Sequence, residues 1–529
     1  MLWGSNTIKG LLLGMMACAA LVACTNDDIV DENGNVPELK GNGYIAVEFA
    51  MAGNGTGRAA SLDGFTNADP AEVEVTSATF FFLGADGNSC ADPFTIEGNL
   101  LTPWVEGTNG DNINETSAPV IVMENPTATP ASIVAILNPT SIIKNTTTWY
   151  SLSDLQGTTL AADYRILTEG NFVMSNSVYM DANGKAVVGA PVSASNIKES
   201  KEAAKADPNP VRIPVERVVA KVDMVAGENV IGSNPDQTIT GSNATTITVA
   251  VKGWWLDNTN PTSYLIKNIE SYTYTWNWND LTNKRSYWAT SAAGTLEHAS
   301  YNDMDLNAKY CLENTSANHT KMVVAAELQI NGTATTLIQW RNNLYTEDGF
   351  KTQIANLSDV TKYFICTNED AGAGVDKIYV SLTKDNLEFA YNTNDNPNVT
   401  DKDWQAIVKV NDKTSQIYTI ATVGGEKVAT PVSKETVNAS FANIATFKMW
   451  NGGKTYFFTD IEHNGDLCGI VRNHLYNLTI SSITGLGTPV PNPDKEIIPE
   501  KPTDDEESYI AAKVEILSYK VVSQSVDLN

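Results

Sequence analysis

Along much of this chain apolar residues fall on every second position, in short runs that end at Gly, Asn, Asp or Pro. In Gly43–Met51, Ile45, Val47, Phe49 and Met51 share one face, the period-2 pattern of a half-buried strand. Similar runs are Val73–Leu83 before Gly84-Ala85-Asp86-Gly87, and Ser132–Leu137 before Asn138-Pro139. Val211–Val225 reads as one long strand-like stretch, and Thr455–Thr459 and Asn473–Ile480 repeat the signal. The sharpest alternation is Ser271–Asn279, with Tyr272, Tyr274, Trp276 and Trp278 on one face. Only Glu199–Ala206 and Lys351–Asn356 read as short helices. Short strands punctuated by turn residues predict an all-β chain built of β-sandwiches.

Breaks in the pattern divide the chain. The stretch Ala190–Asp207, closed by Pro208-Asn209-Pro210, marks a junction near residue 212. Thr488-Pro489-Val490-Pro491-Asn492-Pro493 and Ile498-Pro499-Glu500-Lys501-Pro502 form a proline-stiffened spacer, lengthened by Asp504-Asp505-Glu506-Glu507. Beyond it Tyr509–Asn529 alternates again, with Val514 and Ile516 on one face, followed by Val522, Val526 and Leu528. A hydrophobic strand placed after a stiff polar spacer has no obvious partner in its own domain. The expected units are a leader at 1–23, a tether and first strand at 24–58, sandwiches at 59–211 and 212–488, and a linker with a terminal strand at 489–529.

The amino terminus adds an export signal. Lys9 precedes the apolar run Leu11–Ala20, which is too short to span a membrane, and Leu21-Val22-Ala23-Cys24 follows. That tetrad resembles the lipobox of bacterial lipoproteins, which makes Cys24 the acylated residue. The acidic residues Asp27-Asp28 and Asp31-Glu32 resemble a signal that sends lipoproteins to the outer face of an outer membrane. A polar, Gly-rich loop, Gly53–Ser61, carries one basic residue, Arg58, where a protease can reach.

Composition excludes more than it assigns. The 529 residues include 18% charged ones and carry a net charge of −27. No basic cluster accompanies them, so nucleic acid is not a partner. No HExxH, Walker A, GxSxG or GxGxxG motif occurs, and no catalytic residue, cofactor or metal site is assigned. His298, His319, His463 and His474 are isolated, and the Asn/Asp-rich Asn392–Asp403 fails the spacing of a calcium loop. Cys90, Cys311, Cys366 and Cys468 lack CxxC spacing; two disulfides or four buried thiols fit equally. Trp254, Trp255, Trp276, Trp278 and Trp288 read as sandwich core. If exposed, they would instead suit a non-polymerising surface lipoprotein that binds glycans through aromatic residues.

Several of these features coincide in one family. The lipobox, Arg58 after a first strand, Val218-Val219-Ala220-Lys221-Val222 and Tyr310-Cys311-Leu312-Glu313-Asn314-Thr315 are among them. So are Gly469-Ile470-Val471-Arg472-Asn473-His474-Leu475-Tyr476, Ile483-Thr484-Gly485-Leu486-Gly487-Thr488-Pro489, and the tail from Ile510-Ala511-Ala512-Lys513-Val514 to Val526-Asp527-Leu528. Together they are similar to Bacteroidales fimbrilins, in particular the minor-fimbrium type of stalk subunit that builds type V pili. The resemblance implies two tandem transthyretin-like Greek-key β-sandwich domains with a carboxy-terminal donor-strand extension. It implies a lipid-anchored precursor at the outer membrane, cut between Arg58 and Ala59 by an Arg-specific trypsin-like protease. Ile45, Val47, Phe49 and Met51 then belong to the leaving strand, and Val514, Ile516, Val522, Val526 and Leu528 to a donor strand that fills the vacated groove of another copy. Accessory anchor and tip subunits, adhesion and biofilm formation are implied with it. The physics is compatible: four or five buried aliphatic side chains are worth roughly 6–15 kcal/mol at most. A head-to-tail contact of this kind does not close on itself and makes filaments.

Overall fold

Every strand needs a partner for its backbone and a cover for its apolar face, and the chain meets both needs in two successive β-sandwiches. The computed structural model describes residues 43–51, 70–97, 105–106, 114–115, 120–162, 172–177, 179–180, 186–226, 239–242, 246–267, 299–314, 320–341, 343–391, 405–441, 444, 447–461, 470–490, 493–494, 509–517 and 523–525. For 48–51, 509–517, 523–525 and several other strand positions it describes the backbone alone. The tryptophan-rich stretch 271–279 and the Asn/Asp-rich 392–403 lie outside the described residues.

In the first sandwich the leading strand, Gly43–Met51, lies beside the N-closing strand, Val211–Arg217. The sheet continues through Met174–Asn176, Ser132–Leu137, Ser77–Leu83 and Phe94–Glu97. All seven residues of Ser77–Leu83 are buried, because both of its faces are covered. Ala78, Phe80 and Phe82 enter the sandwich core with Ile133, Ala135 and Ile213. Phe81 and Leu83 enter a separate cluster that also holds Val218, Leu265, Ile266 and Leu312 of the second sandwich. That double burial is why the strand reads as a continuous apolar run rather than an alternation.

The expected run Val211–Val225 is two strands. The N-closing strand ends at Arg217, Val218 turns the chain, and the C-opening strand, Val219–Ala226, begins the second sandwich. The expected junction near 212 thus falls at the start of the N-closing strand, whose pairing runs on to Arg217. The C-opening strand lies between Lys309–Leu312 and the C-closing strand, Leu475–Thr484. The facing sheet is Thr248–Asp257, Lys321–Ile330, Lys454–Asp460 and Thr488–Pro489. Val222, Trp254, Leu328, Phe457, Tyr476 and Leu478 fill the space between. At the bulge in Thr248–Asp257 a side chain on Gly253 would come within 2.6 Å of the Met304 backbone, so only glycine allows that approach.

A third core was not visible as a unit in the sequence. Ile338, Trp340, Phe350, Ile354, Val408 and Met449 centre it, between a six-stranded sheet that includes Leu337–Trp340 and Gln405–Val410 and a four-stranded sheet ending in the hairpin Ile417–Val432. The helix Glu347–Ala355 covers part of it. Thr346 caps that helix by accepting from the Gly349 N–H, Glu347 and Asp348 occupy its first turn, and Phe350 and Ile354 point inward. That helix starts four residues before the expected Lys351–Asn356, Lys201–Lys205 lies within the expected Glu199–Ala206, and Leu152–Gly157 and Lys434–Phe441 are helices that the alternation did not suggest.

Candidate functional site

The leading strand is a wall of the first core. Its first half, Gly43–Ala46, pairs antiparallel with Val120–Met123, while Tyr44 and Ile45 also stand opposite Lys198 and Ile197. Its second half runs parallel to the N-closing strand, with Val47 opposite Val211, Phe49 opposite Ile213 and Met51 opposite Val215. Ile45 and Val47 are completely buried among Ile121, Met123, Val211 and Ile213. Each such burial is worth about 1.5–3 kcal/mol as an upper figure. Phe49 and Met51 continue the backbone pairing; their side chains lie outside what is described. Cys24, Arg58 and Ala59 lie outside the described residues, and the chain resumes in the turn Pro70–Val73.

Contrary to the expectation that it lacks a partner in its own domain, the tail strand, Tyr509–Leu517, pairs antiparallel with the C-closing strand of the same chain. The pairing runs from Leu475 opposite Leu517 to Thr484 opposite Tyr509, because each strand presents an open backbone edge to the other. Val514 stands opposite Leu478 and Ile516 opposite Tyr476. The chain returns at Ser523–Ser525, where Gln524 pairs with Val514. Val522, Val526 and Leu528 lie outside the described residues. The proline-rich spacer begins attached to the body: Thr488 and Pro489 pair with Tyr456 and Thr455, Val490 is buried, and the Asn302 side chain donates to Asp494.

Both sandwiches therefore close in the same way. In each, the first strand is antiparallel to one partner near its start and parallel to the closing strand toward its end; the two stretches are separate in the leading strand and overlap at Lys221 and Val222 in the C-opening strand. This equivalence was not legible in the sequence, since parallel pairing joins strands far apart in the chain. Sequence reasoning also missed a set of buried charges where the sandwiches meet, formed by Glu72, Glu216, Lys267, Glu313 and Arg472. The one available signal was Glu216-Arg217 embedded in an otherwise apolar run.

Other candidates resolve separately. Cys90, Cys311 and Cys366 are buried free thiols, and Cys468 lies outside the described residues. Burial pushes the Cys90 thiol up to about 11, with Asp86 adding to it, and the Cys311 thiol up to about 12. Trp254 is fully buried in the second core and Trp255 is half-buried, with the Lys309 ammonium over both rings. His474 is buried, its Nδ1 2.8 Å from the Arg472 carbonyl. Among the described residues no helix is long and apolar enough to cross a membrane, and no group of three metal-ligating side chains stands together.

Residues 446–525, which contain the C-closing and tail strands, match the family model of the major fimbrial subunit protein type IV, fimbrillin, C-terminal. No curated protein matches the chain. Among solved structures, a candidate cell adhesion protein from Parabacteroides distasonis is 13% identical, with 91% of this chain and 98% of that chain covered at a TM-score of 0.37. A candidate cell adhesion protein from Bacteroides eggerthii is 10% identical, covering 92% and 98% at 0.33. The tip fimbrial protein Mfa3 of Porphyromonas gingivalis, with a C-terminal truncation, is 11% identical, covering 90% and 99% at 0.30. The carboxy-terminal region of this chain is thus similar to that of the fimbrillins.

Proposed function

From a carboxy-terminal region of the fimbrillin type, we propose that this chain is a structural stalk subunit of a cell-surface fimbria, assembled by strand exchange, with no catalytic role. The observation that supports it most is the placement of the leading strand. Two of its side chains, Ile45 and Val47, are fully buried, and its backbone is bonded along the N-closing strand. If it left, the backbone edge of Val211–Val215, in which only Pro214 has no N–H to offer, and an apolar trough would be open, which is a template for strand addition. The tail strand has the matching form: nine residues, as in the leading strand, with Ile510, Ala512, Val514 and Ile516 in alternation. In this reading a lipoprotein precursor, acylated at Cys24 and held at the outer membrane, is cut between Arg58 and Ala59 by an Arg-specific protease. The tail strand of another copy then takes the vacated place, with Val514, Ile516, Val522, Val526 and Leu528 as inserting residues. Anchor and tip subunits complete the fibre, which serves adhesion and biofilm formation.

The test is to treat residues 24–529 with a low dose of trypsin, then read cleavage by mass spectrometry and assembly by negative-stain microscopy. A cut after Arg58 accompanied by filaments is expected; Arg58→Ala and deletion of 505–529 should each leave folded monomers. Filaments from either variant would sink the reading.

A further inference from the structure

The N-closing and C-opening strands are separated by Val218 alone, itself fully buried. Three further kinds of contact cross the same seam. The first is a backbone ribbon. Thr159–Ala161 of the first sandwich pairs antiparallel with Thr262–Tyr264 of the second, and the Leu265 N–H to Thr158 and Ala162 N–H to Pro261 bonds, each 2.8 Å, extend it at both ends. The second is a shared apolar cluster, in which Phe81, Ile136, Leu155 and Phe172 meet Leu265 and Leu312.

The third is ionic. Lys267 Nζ lies 2.8 Å from Glu216 Oε1, with both side chains wholly buried. Lys221 Nζ lies 2.7 Å from Glu72 Oε1, the Tyr310 hydroxyl donates to the same oxygen at 2.7 Å, and Arg217 Nη1 donates to the Glu72 carbonyl at 3.2 Å. Behind the ribbon, Arg472 pairs with Glu313 at 2.7 Å, both wholly buried, and donates to the Leu265 carbonyl and the Ser263 hydroxyl. Buried ion pairs contribute little net stability compared with apolar groups of the same shape. They do penalise any arrangement that separates them, because each charge is then left unpaired in a dry interior. The apolar cluster supplies attraction and the ion pairs fix a single docking angle.

We infer that this seam is a clamp that joins the two sandwiches into one cooperative body, so that neither opens without the other. A one-residue link would ordinarily let two domains hinge; here the ribbon and the paired charges on both sides of Val218 leave no free rotation. On the fimbrial reading, tension enters at the groove beside the N-closing strand and leaves through the tail beside the C-closing strand. It must therefore cross the clamp, and fibre bending is confined to the junctions between subunits. Glu72 adds a second consequence. It sits in the turn Pro70–Val73, so after a cut following Arg58 the chain would stay anchored at Glu72 to Lys221, Tyr310 and Arg217.

The test needs only the unassembled chain, residues 24–529, so its failure leaves the fimbrial reading untouched. Hydrogen exchange by mass spectrometry in mild denaturant follows two probes, Ile133–Leu137 in the first core and Val323–Ala326 in the second. Both are expected to open in the same events at one rate. Lys267→Met, which leaves the buried Glu216 carboxylate with no cation and only the Ser177 hydroxyl donating to it, should raise both rates by at least about tenfold, and adding Glu216→Leu should bring both back together. Should Lys267→Met not fold, Lys221→Met makes the same comparison at the Glu72 pair. Two independent opening rates in the wild type, or an acceleration confined to one sandwich, would overturn the inference.

Discussion

The leading strand of the first sandwich and the C-opening strand of the second occupy equivalent places, yet they are held by different chemistry. Each runs parallel to a closing strand, Val47–Met51 against Val211–Val215 and Lys221–Ala226 against Leu475–Ile480. The C-opening strand is continuous with its neighbour through Val218 and carries Lys221, paired with Glu72. Its Lys221 N–H also donates to the His474 carbonyl. Among its described side chains, the leading strand is held through the apolar Ile45 and Val47, together with backbone pairing along its length. Backbone bonds and aliphatic burial are sequence-tolerant, so any strand of matching alternation can satisfy them. A charge pair is not tolerant in that way. On the proposed reading, the contrast separates the strand that would be exchanged from one that stays fixed.

The sharpest way to break the contrast is Ile45→Asp. A carboxylate in that dry position has no partner and should destabilise the precursor by roughly 4 kcal/mol, seen as a lower midpoint in chemical unfolding. Once the chain is cut after Arg58, the same substitution should have no effect, because the strand that bears it is free to leave. A penalty that persisted after the cut would mean the strand stays bound. A milder pair sharpens the point. Ile45→Ala and Val222→Ala both leave cavities in well-packed cores, each at a cost of about 2–4 kcal/mol in the precursor. After cleavage and strand loss only the Val222→Ala deficit should remain.

Glu72→Gln tests the fixed strand through pH. Burial works to raise the Glu72 carboxyl, but the Arg217 charge, with Lys221 and Tyr310, outweighs it and holds the group below its ordinary 4.5. A carboxyl lowered on folding adds stability that is fully present above about pH 4.5 and lost as pH falls through the lowered value. Wild type should therefore exceed Glu72→Gln by about 1–3 kcal/mol at pH 7. Unfolding midpoints measured from pH 6 down to pH 3 should converge. A gap that stays constant over that range would remove the ion pair from the account.

Much of the fold was legible because alternation and turn residues act locally. Gly43–Met51 and Ser132–Leu137 form strands with the expected bounds, and Tyr509–Leu517 lies within the expected terminal strand. What was not legible depends on distant partners. Val211–Val225 reads as one run because Val218 is as apolar as its neighbours, and only the second sheet reveals the break. The core around Phe350 and Val408 lies between strands whose local pattern resembles every other strand in the chain. Of the proposed exchange site, the burial of Ile45 and Val47 was readable from their spacing, whereas their neighbour across a parallel pairing was not. The seam was least readable of all. Glu216 and Lys267 are distant in sequence; Lys267 alone looks like an ordinary surface charge, and Glu216-Arg217 in its apolar run hints at burial without naming a partner.

The smallest expected effect uses two cysteines as reporters of the same comparison. Cys90 lies in the core walled by Ile45 and Val47, while Cys311 stands opposite Ala220 of the fixed C-opening strand. Burial raises both thiols, to about 11 and about 12, so neither forms appreciable thiolate at pH 8 in the precursor. Iodoacetamide should leave both unmodified over hours and label both in denaturant. After the leading strand is cut and displaced, the first core opens on one side while the second is unchanged. Cys90 should then gain label several-fold, and Cys311 should stay silent. Equal labelling of the two would show that strand loss loosens the whole molecule. Silence at Cys90 would show that the leading strand is not the element that seals the first core.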